Sequence, residues 1–395
     1  MASPFHLKAR QMRAGWKHWE KALTKDGRRT AWFHASSLGE FEQARPVMEL
    51  FRQRHPEYRI VLTFFSPSGY EVRKDYKGAD IVCYLPPDTR RNARRLVMLM
   101  HPDIAFFVKY DFWFNYLQAL QRRRTPTYLF SAIFRPSQYF FKWYGGWFAD
   151  KLGTYEHIFV QNEESLKLLA CIGLSHVSLA GDTRFDRVND IALQAKRFPD
   201  MERFISSGGE PLPALMAGSS WEPDERNIKH FLDTWQEPLK VILAPHVIDA
   251  EHLHQIEVLF GEENCLRYSD LVKGDPGKRR ILIIDNIGML SSLYRYASVA
   301  YIGGGFGKGI HNILEAAVFG TPVCFGPNWH KFQEARDMLE CGGAKSYDTP
   351  GQLTEILSSW LNDKSAWQQA ADAASTYMKK SLGATKIIMD KIERK

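Results

Sequence analysis

Short apolar runs alternate with amphipathic stretches from residue 30 to about residue 180. The runs are rich in β-branched and aromatic residues, and the stretches between them repeat their apolar positions at helical spacing. This alternation predicts βαβ units, and therefore a parallel sheet with helices on both faces. The predicted strands are Thr30–His34, Arg59–Phe64, Ile81–Tyr84, Ile104–Val108, Thr127–Phe130, His157–Val160 and Val177–Ala180.

A second alternating pattern begins near residue 214, after a charged segment with weak periodicity that contains Pro199 and the turn-prone residues 206–209. Its predicted strands are Ala214–Ala217, Lys240–Leu243, Ile281–Ile284, Val299–Ile302 and Pro322–Phe325. We therefore expect an α/β protein of two doubly wound, Rossmann-like domains, with a ligand cleft between the C-terminal ends of their strands.

The domain limits follow from these patterns. The prediction is a basic N-terminal segment at 1–29, a first domain at 30–190, a linker at 191–212, a second domain at 213–350, and helices at 351–395 that could pack back on the N-terminal domain. A length of 395 residues also favours two domains over one core.

Composition describes an ordinary soluble chain, with 45% apolar and 25% charged residues. The five cysteines lie far apart without a Cys-x-x-Cys pair, which is typical of reduced thiols. No apolar run approaches the roughly 18 residues of a membrane-spanning helix. The net charge of +7 indicates an anionic partner, and charge alone does not distinguish nucleic acid, phospholipid and phosphorylated substrate.

The first twenty residues combine basic side chains with large aromatic ones. Such a segment can lie on an anionic membrane surface, or it can be a surface helix packed on its own domain. The residues concerned are Phe5, Lys8, Arg10, Arg13, Trp16, Lys17 and Trp19.

A glycine-rich turn is the strongest local signal. Five glycines fall within residues 303–309, between a predicted strand and a predicted helix. Glycines let the backbone approach a ligand, and the following helix N-terminus favours an anion. Glu315, one turn into that helix, could accept hydrogen bonds from ribose hydroxyls. The spacing is neither a dinucleotide fingerprint nor a Walker loop, and a flexible turn is the alternative.

Two further strand ends belong to the same predicted sheet edge. GSSWE at 218–222 follows the second domain's first strand, and His246 follows its next one. His246 is either a contact to a nucleotide phosphate or a loop residue. The convergence of the three segments at one edge is the argument for a nucleotide site.

The motifs of metal and serine hydrolase chemistry are missing from the sequence. It contains no Asp-x-Asp pair, no His-Glu-x-x-His and no Gly-x-Ser-x-Gly. His252 and His254 are two residues apart and would diverge on a helix. We therefore predict no metal site.

Glu40 invites two interpretations. Ser37-x-x-Glu40 fits a capping box, with Ser37 as the N-cap residue. Gly39 gives no benefit to a purely capping motif, however, and a glycine there clears space in front of the helix N-terminus. Glu40 would also lie at the C-terminal end of the first domain's first strand, where a catalytic carboxylate would face the cleft.

Together these segments resemble the Kdo transferases of lipopolysaccharide assembly, which belong to the GT-B glycosyltransferases. The resemblance covers most of the chain from about residue 30. It is carried by HASSLGE (34–40), FSPSG (65–69), QNE (161–163), GDTRFD (181–186), GGG (303–305), HNILEAA (311–317) and GP (326–327).

The resemblance implies an inverting, metal-independent transfer of 3-deoxy-D-manno-octulosonic acid (Kdo) from CMP-Kdo to a lipid A precursor, lipid IVA, with no cofactor. Glu40 would be the general base. The residues expected to hold the CMP group are Ser219, Ser220, His246, Gly288, Gly304, Gly305, Asn312 and Glu315. The cytoplasmic face of the bacterial inner membrane would be the location, with the family's N-terminal anchor outside this sequence and nucleic acid not a partner.

Two departures from enterobacterial relatives affect expected contacts. KYDFW (109–113) replaces a Glu-Thr-Glu-Leu-Trp run, and His246 replaces an arginine. Two alternatives stay open: another GT-B nucleotide-sugar enzyme such as a UDP-sugar epimerase, and a basic protein that binds membrane or nucleic acid. The stretch RPSQYFFKWY (135–144) combines aromatic and basic residues, as nucleic-acid-binding surfaces do. A membrane-facing or acceptor-facing helix, or a plain core segment, is the preferred interpretation of it.

Overall fold

The computed structural model describes residues 4–17, 19–23, 27–206 and 209–394. It divides the chain into two compact units, which we call unit 1 (1–187 and 381–395) and unit 2 (188–380). Side chains are not described for residues 4–7 and 9, so the predicted surface role of Phe5 lies outside the described residues, as do Ser207 and Gly208 of the predicted turn.

Unit 1 is built on one seven-stranded, fully parallel sheet with the order β3-β2-β1-β4-β5-β6-β7. Its strands are β1 (Arg29–Ala35), β2 (Tyr58–Phe64), β3 (Ile81–Tyr84), β4 (Ile104–Val108), β5 (Thr127–Ala132), β6 (His157–Val160) and β7 (Val177–Leu179). Every residue of β2 and β4 is buried, as expected for strands with helices on both faces. Trp32 and Phe33 of β1 consequently enter two different apolar cores.

The helices of unit 1 precede, connect or follow its strands, and the one at Thr183–Leu193 continues into unit 2. They are α1 (Pro4–Gly15), α2 (Trp19–Ala22), α3 (Leu38–Arg54), α4 (Pro67–Arg73), α5 (Arg90–Met100), α6 (Phe114–Arg123), α7 (Gly146–Leu152), α8 (Glu163–Cys171) and α9 (Thr183–Leu193), with a 3-10 turn at Tyr139–Phe141. Trp19 is buried and the Trp16 indole N–H donates to the Leu85 carbonyl at 2.9 Å, so these two aromatics pack on unit 1 itself.

Unit 2 has a second seven-stranded parallel sheet, with the order β10-β11-β9-β8-β12-β13-β14. Its strands are β8 (Ala214–Ser220), β9 (Lys240–Pro245), β10 (Cys265–Arg267), β11 (Ile281–Ile283), β12 (Val299–Ile302), β13 (Val323–Phe325) and β14 (Ala344–Ser346). The sequence pattern did not predict β10 and β14, because each is a three-residue strand that contains a basic residue, Arg267 in β10 and Lys345 in β14.

Helices cover both faces of this sheet too. They are α10 (Pro199–Ile205), α11 (Glu222–Thr234), α12 (Ala250–Phe260), α13 (Tyr268–Leu271), α14 (Leu290–Leu293), α15 (Leu314–Ala317), α16 (Gln333–Glu340), α17 (Pro350–Asn362) and α18 (Lys364–Ser381), with 3-10 turns at Glu262–Asn264 and Tyr294–Tyr296. The predicted fold class, a doubly wound parallel sheet in each half, is confirmed. No helix in the described part of the chain is long and apolar enough to cross a membrane.

The last helix, α19 (Ala384–Glu393), belongs to unit 1. The Asp186 carboxylate accepts hydrogen bonds from the backbone N–H groups of Gly383 and Thr385, both at 2.7 Å, at the start of this helix. Arg54 of α3 forms ion pairs with Asp390 at 3.1 Å and with Glu393 at 2.7 Å. The chain therefore returns to unit 1 after completing unit 2.

Candidate active site

The strand order reverses once in each sheet, between β1 and β4 in unit 1 and between β8 and β12 in unit 2. Connections leave such a pair toward opposite faces of the sheet, which opens a crevice at the carboxyl ends of the strands. In unit 1 these ends carry Ser36–Glu40 and Lys109–Asp111, and in unit 2 they carry Ser219–Trp221 and Gly303–Gly305. Ligands of doubly wound folds bind at such points.

Glu40 is held at the N-terminus of α3 by the residues before it. The Ser37 hydroxyl accepts from the Glu40 backbone N–H at 3.4 Å and donates to Glu40 Oε2 at 3.0 Å. The Glu40 carboxylate also receives backbone hydrogen bonds from Ser37 and Ser36. The capping interpretation therefore describes the local structure, and the cap holds the carboxylate at the switch point.

Burial raises the pKa of the half-buried Glu40 above its ordinary value, although hydrogen bonds from Ser37 and the charge of Lys109 act in the opposite direction. A carboxylate with a raised pKa is a stronger base than an exposed one. A Cβ built on Gly39 would have no heavy atom within 4 Å, so packing within the chain does not require glycine at that position.

His34 and Asp111 form a buried polar pair beneath Glu40's loop. His34 Nδ1 lies 3.1 Å from the Thr63 carbonyl oxygen, which can only accept, so Nδ1 carries the proton and Nε2 is an acceptor. Burial lowers the pKa of His34 to about 3, which keeps this imidazole neutral. Ser36 donates a short hydrogen bond to Asp111 Oδ1, and the Trp113 indole N–H donates to the same oxygen at 3.2 Å.

Asp111 is the proton-holding member of its pair with Glu40. Burial, and after it the negative charge of Glu40, raise the pKa of Asp111 well above its ordinary value. Its second oxygen, Oδ2, is buried without a hydrogen-bond partner among the described residues and lies 3.8 Å from the acceptor Nε2 of His34. A proton on Oδ2 therefore fits the geometry. With that proton on Asp111, the single negative charge of the pair lies on Glu40.

The pH dependence of turnover should report the pKa of Glu40. Because a base must be ionised, we expect kcat/KM to fall on acidification through a pH above 4.5, the ordinary value for this carboxyl. Ser37→Ala should move this acid limb to higher pH, since it removes the hydroxyl that lowers the pKa. The measurement is kcat/KM against pH.

Thr89→Ala is the matched control for that experiment, because Thr89 caps α5 in the same way through the Asn92 backbone N–H. Both substitutions should lower the free energy of unfolding by about 0.5–2 kcal/mol. An acid limb that moves equally in both variants, or in neither, would contradict the assignment to Glu40.

In unit 2 the buried Asp224 joins the two strand ends at the switch point. Its Oδ2 accepts from the backbone N–H of Gly304 at 2.9 Å and of Trp221 at 3.0 Å, and its Oδ1 accepts from the Tyr301 hydroxyl at 2.7 Å. Gly304 has φ +90°, and a Cβ on it would lie 2.7 Å from the Gly309 carbonyl oxygen. The glycine turn is therefore shaped by its own backbone and by Asp224.

A cavity of about 550 Å³ opens over this turn, large enough for a nucleotide. On one side three rings are stacked: Trp221 on His246 and His246 on His311, each with centroids 4.6 Å apart. Burial and the neighbouring His246 lower the pKa of His311. The residues around the cavity are Trp221, Pro223, Asp224, His246, Gly304, Phe306, Gly307, Lys308, Gly309 and His311.

The structure distributes the predicted CMP-binding residues over several environments. His246 and Gly304 line the cavity, and Gly305 is buried beside Gly304. Ser219 lies at the strand end in a left-handed conformation, with φ +54°. The hydroxyl of Ser220 is buried and donates to Glu225 at 2.8 Å, so this side chain faces the protein interior and not the cavity.

The remaining predicted residues lie outside the cavity lining. The Asn312 amide donates to Glu315 Oε1 at 3.0 Å, so the two form a polar pair at the start of α15. Gly288, with φ +98°, lies in the loop before α14. Leu290 of α14 would be 3.0 Å from a Cβ on Gly218, so this loop also reaches the switch point.

Sequence reasoning missed several residues of these sites. Asp111, His34 and Thr63 are far apart in the chain, and no local pattern connects them. Asp224 did carry a signal, since it is the third residue of a helix that follows a strand end. Among the described residues, no group of three or more His, Cys, Asp or Glu side chains could hold a metal ion.

Comparisons with known proteins were made on sequence and on structure. Residues 9–187 match a family described as 3-deoxy-D-manno-octulosonic-acid transferase (kdotransferase). The 3-deoxy-D-manno-octulosonic acid transferase of Aquifex aeolicus is 26% identical over 352 residues, 86% of this chain and 89% of that protein. The protein of the same name from Bordetella pertussis is 25% identical over 379 residues, 92% of this chain and 86% of that one.

Solved structures resemble the whole chain at low identity. The UDP-GlcNAc 2-epimerase from Neisseria meningitidis bound to UDP-GlcNAc has a TM-score of 0.64 at 13% identity, over 93% of this chain and 100% of that one. The calicheamicin glycosyltransferase CalG4 has a TM-score of 0.55 at 14% identity, over 93% and 98%. At such identities the likeness shows the fold alone.

Proposed function

We propose that this chain, whose residues 9–187 match the 3-deoxy-D-manno-octulosonic acid (Kdo) transferase family, transfers Kdo from CMP-Kdo to a lipid A precursor, lipid IVA, in lipopolysaccharide core biosynthesis. The chain is a glycosyltransferase of the GT-B fold. The observation that carries the proposal is Glu40, a carboxylate with a raised pKa fixed at the strand switch point inside the matched residues.

In the proposed reaction Glu40 accepts the proton of the acceptor hydroxyl as that oxygen attacks the anomeric carbon of Kdo. The new carbon–oxygen bond forms while the bond to the CMP phosphate breaks, and the electron pair leaves with CMP. A single displacement of this kind inverts the anomeric carbon. Asp111 keeps its proton, so the negative charge that receives the acceptor's proton is that of Glu40, which the transfer neutralises.

The donor is assigned to the cavity of unit 2. Trp221 and Phe306 offer apolar faces, and the exposed Lys308 can approach the negative charges of a CMP-sugar. His246 and His311 stand at the same cavity and supply hydrogen-bonding nitrogens. The backbone of the glycine turn adds N–H groups that an anion can use.

We propose that the reaction requires no metal ion. Asp224 is the carboxylate among the residues that line the cavity, and both of its oxygens already accept hydrogen bonds from Gly304, Trp221 and Tyr301. Metal ligation would compete with these bonds, which hold the glycine turn in place. Transfer should consequently be insensitive to EDTA.

The proposed location is the cytoplasmic face of the bacterial inner membrane. The lipid acceptor and the net charge of +7 support it, since the cytoplasmic leaflet of a bacterial membrane is anionic. Nucleic acid is not a proposed partner.

Mass spectrometry of the products tests the function. Incubation with lipid IVA and a CMP-Kdo-generating system should give lipid IVA heavier by Kdo, with and without EDTA. Calorimetry should show binding of CMP in preference to UDP. Binding of UDP alone, with no Kdo product, would contradict the proposal and favour a UDP-sugar enzyme.

A further inference from the structure

A tight turn on unit 1 exposes three large aromatic side chains within five residues. Trp143 is 97% exposed, Tyr144 is 56% exposed and Trp147 is 57% exposed. Among the Trp, Tyr and Phe residues in the described part of the chain, Trp221 is the other exposed one, and it lines the donor cavity. Concentrated exposure of this kind marks a binding surface, whereas single exposed apolar residues do not.

A hydrogen bond and close packing define the turn, so the exposure does not result from a loosely packed loop. The Gly145 backbone N–H donates to the Lys142 carbonyl at 2.8 Å, which places Trp143 and Tyr144 at the two central positions of a β-turn. A Cβ on Gly145 would lie 2.0 Å from the Tyr139 carbonyl oxygen, so only glycine fits. Phe140 is buried beneath the turn.

Basic residues surround these rings. Residues 135–151 carry Arg135, Lys142 and Lys151 against a single carboxylate, that of Asp150. Lys142 and Arg135 are exposed, and the Lys151 ammonium lies 5.3 Å from the Trp147 ring centroid. Tryptophan and tyrosine with neighbouring lysine and arginine are the residues that settle at the headgroup level of an anionic bilayer.

The exposed rings connect to the acceptor site through aromatic contacts. Phe112, next to Asp111, meets Phe140 with ring centroids 4.9 Å apart. Tyr139, adjacent to Phe140, lies 4.5 Å from Phe148, which in turn contacts Trp147 at 5.0 Å. A lipid surface against the turn would therefore lie on the same end of unit 1 as the base.

We propose that the turn 142–147, which we call the aromatic turn, is the surface by which unit 1 docks on an anionic phospholipid bilayer. Trp143 and Trp147 enter the interface, and Lys142 and Arg135 pair with lipid phosphates. The inference rests on the proposed function, because it brings the base to an acceptor that is itself a membrane lipid. Trp16 and Trp19 of the N-terminal segment are engaged in packing on unit 1.

Co-sedimentation of the full chain with vesicles tests the docking surface without donor or acceptor. The vesicles are phosphatidylethanolamine with phosphatidylglycerol, and phosphatidylcholine alone. The wild-type chain should bind the anionic vesicles more tightly. The double variant Trp143→Ala/Trp147→Ala should lose at least about tenfold in vesicle affinity. Lys142→Ala should lose about fivefold on the anionic vesicles only.

The matched control is Val258→Ala/Ile287→Ala, which removes two exposed apolar side chains from unit 2, 62% and 92% exposed. It should bind vesicles like the wild type. The thermal unfolding midpoint of every variant should stay well above the assay temperature, because the removed side chains are largely exposed.

Several outcomes would overturn the inference. The first is equal vesicle binding by the aromatic double variant and the wild type. The second is a wild-type dimer in sedimentation velocity that the double variant no longer forms. The third is RNA binding that depends on the two tryptophans. Kdo transfer measured in parallel separates the two proposals. If the wild-type chain transfers Kdo but does not bind vesicles, only the docking surface is rejected. If it binds vesicles but does not transfer Kdo, only the proposed function is rejected.

Discussion

Replacing Glu40 by glutamine is expected to lower the transfer rate by about 10²–10⁴-fold, the usual contribution of a general base, while the protein stays folded and binds CMP. The amide of glutamine is not basic at neutral pH, so the acceptor proton has no recipient. Its carbonyl oxygen can still accept the backbone hydrogen bonds of Ser36 and Ser37, so the helix cap survives. Single-turnover transfer and calorimetry with CMP are the measurements.

Glu40→Ala separates the catalytic role from the capping role. If Glu40 only caps α3, the alanine variant should lose about 0.5–2 kcal/mol of stability and keep its transfer rate. If Glu40 is the base, both variants should be slow, and only the alanine variant should also be less stable. Unimpaired transfer by Glu40→Gln would remove Glu40 from the mechanism.

Replacing Asp224 by alanine is expected to cost at least about tenfold in CMP affinity. The substitution leaves the Gly304 and Trp221 N–H groups and the Tyr301 hydroxyl without their acceptor, and a buried donor left unpaired costs about 1–3 kcal/mol. The glycine turn should then relax away from α11 and lose its ligand-binding shape. Calorimetry with CMP measures the affinity, and urea unfolding measures the stability.

Asp224→Asn is the matched control, because an asparagine can keep the same contacts. Its carbonyl oxygen can accept hydrogen bonds from the backbone N–H groups of Gly304 and Trp221, as Oδ2 of Asp224 does. Its amide can donate to the Tyr301 hydroxyl, which then donates to Tyr347, 2.7 Å away. We therefore expect near-native CMP affinity. Equal losses in the alanine and asparagine variants would show that the charge of Asp224, and not its hydrogen bonds, determines the affinity.

Much of the fold could be predicted from local pattern. Strands β3, β4, β6 and β12 have the predicted bounds, because each is a short apolar run between helices of clear period. Strands β10 and β14 escaped prediction, since one of the three residues in each is charged and interrupts the apolar run. The helix predicted to follow the glycine turn is only four residues long, Leu314–Ala317, because the turn continues to its start.

The candidate site could be predicted only in part. Glu40 and the glycine turn stand out in the sequence because capping and glycine clustering are local signals. Asp111 and His34 do not, since a buried aspartate and a neutral histidine acquire their protonation states from burial and from each other. Ser220 looked like a ligand contact beside a strand end, and its hydroxyl is directed instead at Glu225.

By itself the sequence determined the α/β class, the two sheets, the resemblance to the Kdo transferases and the candidate base. Each depends on periodicity or on a motif within a few residues. The tertiary structure alone decided that β1 lies beside β4 and β8 beside β12, that Asp224 clamps the glycine turn, and that the aromatic turn is exposed. These facts depend on which distant segments pair and pack, and on the burial that results.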